Sequence, residues 1–379
     1  MKNPFVYGKE VYGDNFCNRK EEKQELYRDV INGQNVIIFS QRRLGKTSLI
    51  NEVFNECRKK GIIAIYVDLY PMLSEEDFVR IYAKSIAEAI WGKIKKKLEE
   101  MTKFFQKVRP TFSIGPTGEM SYSFDIDRKS ISPSIEDVLN SVKRYADGKN
   151  KRLAVCFDEF QQIGQLKTDR LEKIMRSSFQ KHKNIAYVFM GSKKHLITDM
   201  FNDPNRPFYR SAKSFPLEKI SKSELLLFIQ NKFKDTGKTI ADNLAKELID
   251  ISESHPYYIQ YLCHIVWELA IDRKIVKQED LEKGLNLLLT RESSTYEATW
   301  DLLTVKQRQV LVALSRLSSA DKLFSSAFLE KHNLGSASSV QRTLASLVDK
   351  DLIDKEKDEY SIIDIFFRKW ILQLKKETF

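Results

Sequence analysis

The chain has 379 residues, 42% hydrophobic and 30% charged, with a formal charge of +11. That length exceeds the roughly 100 to 200 residues of one domain and implies two or three packed units, and this balance excludes disorder and membrane residence. No apolar run approaches the roughly 20 residues that span a bilayer, and the opening MKNPFVYGKE lacks a hydrophobic signal core, so no membrane partner and a cytoplasmic location are expected. Cys17, Cys57, Cys156 and Cys263 are scattered, which argues against a disulfide framework, and no Cys or His spacing matches a zinc site.

In chain order the first strong element is VIIFS, Val36 to Ser40, which runs straight into QRRLGKTSLI. Consecutive apolar residues predict a strand buried on both faces. A strand that turns directly into a helix near Gly45 aims backbone N–H groups and the positive helix end at an anion. The run Ser40, Gln41, Arg42, Arg43, Leu44, Gly45, Lys46, Thr47, Ser48 matches the phosphate-binding pattern GxxxxGK[ST] except at its first position, where serine replaces glycine and restricts the turn. The expected ligand is ATP with Mg²⁺. Lys46 would reach the β and γ phosphates, and the Thr47 hydroxyl would ligate the metal.

A second strand is predicted at Ile62 to Tyr70. The segment from Trp91 to Arg109 then carries seven Lys or Arg against two Glu and reads as a solvated helix face, with an acidic partner as the alternative. Beyond it, alternation at Phe112, Ile114, Met120, Tyr122 and Phe124 around GPTG predicts a β-hairpin insertion near 110–127, seated on the body of the protein. LAVCFDEF, Leu153 to Phe160, is the third core strand and ends in Asp158 and Glu159, about 110 residues after the P-loop. ATP hydrolysis needs such a pair: Asp158 to hold Mg²⁺ through a water, and Glu159 to orient and deprotonate the attacking water. IAYVFMGS, Ile185 to Ser192, would lie beside it and bring Ser192 near the γ-phosphate. A short strand near Lys213 to Leu217 completes a parallel sheet covered by helices, an α/β fold.

After Pro216 the periodicity turns helical, in SKSELLLFIQNKF, NLAKELIDISE and PYYIQYLCHIVWELA. From about Thr304 the order is helix, helix, helix, β-hairpin, which predicts a winged helix. Its third helix offers only Arg342 and Lys350, and Thr304 to Phe379 holds 13 basic against 10 acidic residues. Groove reading needs several basic contacts to phosphates, so an intramolecular role is favoured over DNA binding. The cluster Phe366, Phe367, Trp370, Ile371 and Leu374 supports docking of the tail, with core packing inside the wing as the alternative.

These residues resemble a family of prokaryotic, archaeal-type P-loop ATPases within the AAA+ and STAND group. SQRRLGKTSL resembles the family loop with its paired Arg42 and Arg43, NPFVYG with FCNRKEE resembles the family opening at Arg19, SHPYYIQYL resembles a GxP-type motif at Pro256, and YSIIDIFFRKWIL resembles the closing signature at Asp364, Phe367 and Trp370. Ser40, Ser254 and Asn18 stand where glycine is usual. The resemblance implies that Arg19 and Pro256 help enclose the nucleotide and that an arginine ahead of the last core strand, Arg210 rather than Arg206, contacts the γ-phosphate from the same chain or from a neighbour. It also implies an ATPase core at 1–217, a helical lid at 218–300 and a winged-helix domain at 301–379. The leading expectation is a slow Mg²⁺-dependent ATPase that works as a nucleotide-controlled molecular switch on a protein partner or by self-association. A DNA-associated ATPase or loader and a non-hydrolysing ATP-binding scaffold are the alternatives.

Overall fold

Strands that are apolar at nearly every position need cover on both faces, and the runs at Val36, Leu153 and Ile185 find it as the three inner strands of a five-stranded sheet. The computed structural model describes residues 2–11, 13–17, 19–92, 98–114, 120–126, 131–317, 322–356 and 359–374. The strands of its first unit are β1 (Val36–Phe39), β2 (Ile63–Asp68), β3 (Val108–Ile114), β4 (Met120–Ile126), β5 (Leu153–Asp158), β6 (Ile185–Gly191) and β7 (Lys213–Pro216). Between and around them run α1 (Lys20–Ile31), α2 (Lys46–Lys59), α3 (Glu75–Trp91), α4 (Leu98–Phe104), α5 (Ile131–Lys149), α6 (Gln161–Gly164), α7 (Arg170–Phe179) and α8 (Lys194–Asn202). The sheet order is β2-β5-β6-β1-β7, and every pairing is parallel.

Side chains alternate across the sheet, so each strand feeds two layers. Ile37, Val155, Phe157, Tyr187 and Phe189 join residues of α3, α5, α7 and α8 in one core, where the Phe157 ring lies 6.3 Å from those of both Tyr187 and Phe189. The intervening Val36, Ile38, Ala154, Cys156 and Val188 are buried as well, and α1 and α2 pack against the sheet. Each large apolar side chain removed from water in this way contributes about 1.5–3 kcal/mol. All four cysteines are free and buried.

The predicted hairpin is β3 paired antiparallel with β4, Val108 opposite Ile126. Val108 and Phe124 enter the sheet core, which seats the insertion on the body. The side chains of Phe112, Ile114, Met120 and Tyr122, the 115–119 turn and the lysines of 93–97 lie outside the described residues.

The chain falls into two compact units, Arg19–Glu218 and a second that combines Met1–Asn18 with Lys219–Phe379. The second unit holds α9 (Lys222–Lys234), α10 (Asp242–Ile251), α11 (Pro256–Leu269), α12 (Gln278–Asp301), α13 (Val305–Ser315), α14 (Ser326–Lys331), α15 (Ala337–Asp349), β8 (Ile353–Glu356), β9 (Glu359–Ile362) and α16 (Ile365–Leu374). Local chemistry sets several starts: the Ser221 and Ser336 hydroxyls cap α9 and α15, a Thr304–Gln307 capping box opens α13, and Pro256 opens α11.

Two features here depart from the sequence reading. The opening segment belongs with the C-terminal half, because the Phe5 ring packs 5.0 Å from Phe233 and the Asn3 amide donates to the His264 carbonyl at 3.0 Å. The lid and winged-helix elements also share one core rather than forming two: Phe366 meets Tyr258 of α11 at 5.1 Å, while Phe367 and Trp370 meet Tyr296 of α12 at 5.2 and 5.9 Å. Asp364 caps α16 through the Phe366 and Phe367 N–H groups, both at 2.9 Å. Among the described residues no helix is long and apolar enough to cross a membrane.

Candidate functional site

Parallel strands present their C-terminal ends on one edge, and that edge collects the predicted chemistry. β1 delivers the loop from Ser40, β5 delivers Asp158 and Glu159, and β6 delivers Ser192, with Phe39 level with Gly191. In the loop, Arg43 and Gly45 take left-handed φ values of +64° and +92°, a turn that converges N–H groups ahead of α2. Ser40, in contrast, is buried with φ outside the left-handed region, so serine in the glycine position removes no conformation that this turn uses. Arg42 and Arg43 are exposed, Gln41 is half-buried, and Leu44 and Ser48 are buried.

Lys46 folds back on the loop. Its Nζ donates to the Ser40 carbonyl at 3.1 Å, to Ser40 Oγ at 3.2 Å and to the Gln41 carbonyl at 3.3 Å. Burial pushes its pKa down to about 8 against the opposing pull of Asp158 and Glu159. An ammonium held in this way is desolvated and carries its charge at a cost that bound phosphates would offset.

The acidic pair is held by neutral donors. Thr47 Oγ1 donates to Asp158 Oδ2 at 3.4 Å, the Tyr66 hydroxyl donates to the same oxygen, and the Glu159 N–H donates to Oδ1 at 2.9 Å. Burial raises the Asp158 carboxyl above the usual carboxylate range, with the Tyr66 bond opposing it. Glu159 has a left-handed φ of +52°, and its Oε2 accepts from Ser192 Oγ at 2.8 Å and from Gln161 Nε2. The structure therefore brings Lys46, Thr47, Asp158, Glu159 and Ser192 together. It adds Tyr66 and Gln161, which the sequence reading passed over; the available signals were a hydroxyl in an apolar strand and an amide two residues past Glu159.

The sequence matches the family described as an ATPase domain predominantly from Archaea over residues 16–262. The chain belongs to this family. Residues 294–373 match a second family, described as a "probable winged helix domain". No curated protein matches the sequence. Among solved structures, the Walker-type ATPase paby2304 of Pyrococcus abyssi is similar at 16% identity with a TM-score of 0.67, over 97% of this chain and 99% of that one. The ORC2 protein of Aeropyrum pernix in ADPNP and ADP complexes is similar at 14% identity and a TM-score of 0.56, over 96% of each chain. The ORC1 protein of Aeropyrum pernix in complex with DNA is similar at 12% and 0.51, over 96% of this chain and 94% of that one. At such identities the likeness is one of fold. Family membership makes residues 16–262 an ATPase domain.

In this ATPase the remaining predicted residues have distinct surroundings. Arg19 is fully buried and braces the P-loop: its guanidinium donates to the Leu44 carbonyl at 3.0 Å, the Glu218 carbonyl at 2.8 Å and Glu22 at 2.8 Å. Arg206 is paired at 2.6 Å with Glu172, which is 2% exposed. Arg210 is exposed, its guanidinium 5.2 Å from the Tyr209 ring. It precedes Lys213, which is level with Val36 at the start of β1, and its N–H bonds the Phe201 carbonyl at the end of α8. Pro256 opens α11 in the other unit after Ser254, whose φ of +59° is the conformation glycine would take freely. Asn18 lies outside the described residues.

Proposed function

We propose that this protein is a slow Mg²⁺-dependent ATP hydrolase that acts as a nucleotide-controlled molecular switch in the cytoplasm. The observation that carries the reading is the single cluster formed by Lys46, Thr47, Asp158, Glu159 and Ser192 at the ends of three neighbouring strands.

Loop N–H groups and Lys46 would bind the β and γ phosphates, exchanging the Ser40 and Gln41 carbonyls for phosphate oxygens. Among the described residues no cluster of three or more His, Cys, Asp or Glu could hold a metal by itself. The Thr47 hydroxyl and Asp158 carboxylate are hard oxygen donors, and they fit an Mg²⁺ that keeps most of its ligands as waters and phosphate oxygens. When bound, that ion would supply positive charge against the phosphates. Glu159 would accept the proton of a water whose oxygen bonds to the γ-phosphorus as the bond to the departing ADP oxygen breaks. Ser192 would steady that carboxylate, and Arg210 would act on a neighbouring copy, which makes self-association part of the proposal. The lid and winged helix share one core, which supports their responding to nucleotide as a body.

A DNA-associated ATPase is the second reading. Arg342 is exposed on α15, and the ORC1 structure in complex with DNA shares this fold. Single-turnover hydrolysis of Mg-ATP, beside Lys46→Ala and Glu159→Gln, with and without duplex DNA, tests both. Slow turnover lost in both variants and indifferent to DNA supports the switch, and DNA stimulation favours the second reading. Bound ATP that is never cleaved overturns both and leaves a nucleotide-binding scaffold.

A further inference from the structure

Gln161 follows Glu159 by two residues and opens α6, 2% exposed. Its Nε2 donates to Glu159 Oε2, while its own Oε1 meets no donor among the described residues. A buried carbonyl oxygen left without a donor is destabilising. Turning the amide over would set that oxygen against the Glu159 carboxylate, so the charge of Glu159 fixes the orientation in spite of the cost. Gly191 makes the position tenable, since a Cβ there would collide with Gln161 Oε1 and with Ile197.

Glu159 needs such a restraint. Its left-handed backbone breaks the alternation of β5, so the strand no longer dictates where the carboxylate points. Ser192 Oγ donates to the same Oε2 at 2.8 Å. Two donors occupy the lone pairs of Oε2, and Oε1 is the oxygen left to face a water.

We propose that Gln161 is a positioning residue for the hydrolytic step, which clamps Oε2 of Glu159 so that Oε1 receives the proton of the attacking water. This rests on the reading of Glu159 as the general base. A base swung out of line by an ångström loses on the order of a hundred-fold in rate.

The test compares wild type, Gln161→Leu, Glu159→Gln and the double variant by single-turnover Mg-ATP hydrolysis, with affinity for a fluorescent ATP analogue and unfolding temperature measured alongside. The expected result is a chemical step slowed about ten- to a hundred-fold in Gln161→Leu at unchanged nucleotide affinity, with no further loss when Gln161→Leu is added to Glu159→Gln. Gln161→Asn, which withdraws the donor by one methylene, serves if the leucine variant does not fold, and the same loss is expected. An unchanged or faster rate, an affinity loss that matches the rate loss, or an equal further loss on the Glu159→Gln background overturns the proposal. A rate lost in Glu159→Gln but kept in Gln161→Leu sinks the clamp alone, whereas a rate kept in Glu159→Gln sinks the base assignment and the clamp with it.

Discussion

Replacing Lys46 by methionine isolates the burden of its buried ammonium in the nucleotide-free protein. Burial lowers the folded pKa from 10.5 to about 8, and each unit corresponds to about 1.4 kcal/mol. Below pH 8 the lysine is charged in both states, and the folded state bears the full penalty of about 3 kcal/mol. As pH rises from the folded value toward 10.5, the unfolded chain holds the proton more often than the folded one, so stability must rise with pH. The part of this rise that falls between pH 7 and pH 9 is about 1 kcal/mol. Methionine fills similar space without titrating. Denaturant unfolding of both proteins at pH 7 and pH 9 should therefore show wild type gaining about 1 kcal/mol relative to Lys46→Met, every other titrating group cancelling in the difference. Equal responses, or a relative loss by wild type at pH 9, would refute the reasoning.

Glu159→Gln should slow hydrolysis about a hundred- to ten-thousand-fold while nucleotide is still retained, and an unchanged single-turnover rate would contradict the base assignment. Tyr66→Phe withdraws a bond to the buried Asp158 carboxylate and should cost about 2 kcal/mol in denaturant unfolding; a neutral result would mean that the hydroxyl contributes nothing there. Arg206→Ala strands Glu172 and should destabilise by about 3 kcal/mol, whereas Arg210→Ala, at an exposed site, should change stability by less than about 0.5 kcal/mol and show its effect as a loss of the concentration dependence of hydrolysis. Trp370→Ala should cost about 3 kcal/mol, and the lid and winged helix should melt together in calorimetry; two separate transitions would show that they are not one cooperative body.

Much of the fold was legible because local rules and tertiary demands agree. All five core strands stand within two residues of the expected bounds, and the inner three do so because a run such as LAVCFD is stable only between two helical layers. The winged-helix order was readable from three helical stretches followed by a hairpin, now β8 and β9, and the P-loop from a strand that turns directly into GKT. The helix α12 was not singled out, because its apolar stripe is diluted by charge over 24 residues and is completed only by Tyr296 against α16.

The P-loop pattern, the acidic pair and the layered α/β plan are legible in the sequence, because each depends on residue types at fixed short spacings. The side chains that hold them follow from the tertiary arrangement: Tyr66 on Asp158, Gln161 on Glu159 and Arg19 under Leu44. These are matters of sheet order and strand register, and two positions 92 residues apart, such as Tyr66 and Asp158, become neighbours only when β2 is laid beside β5.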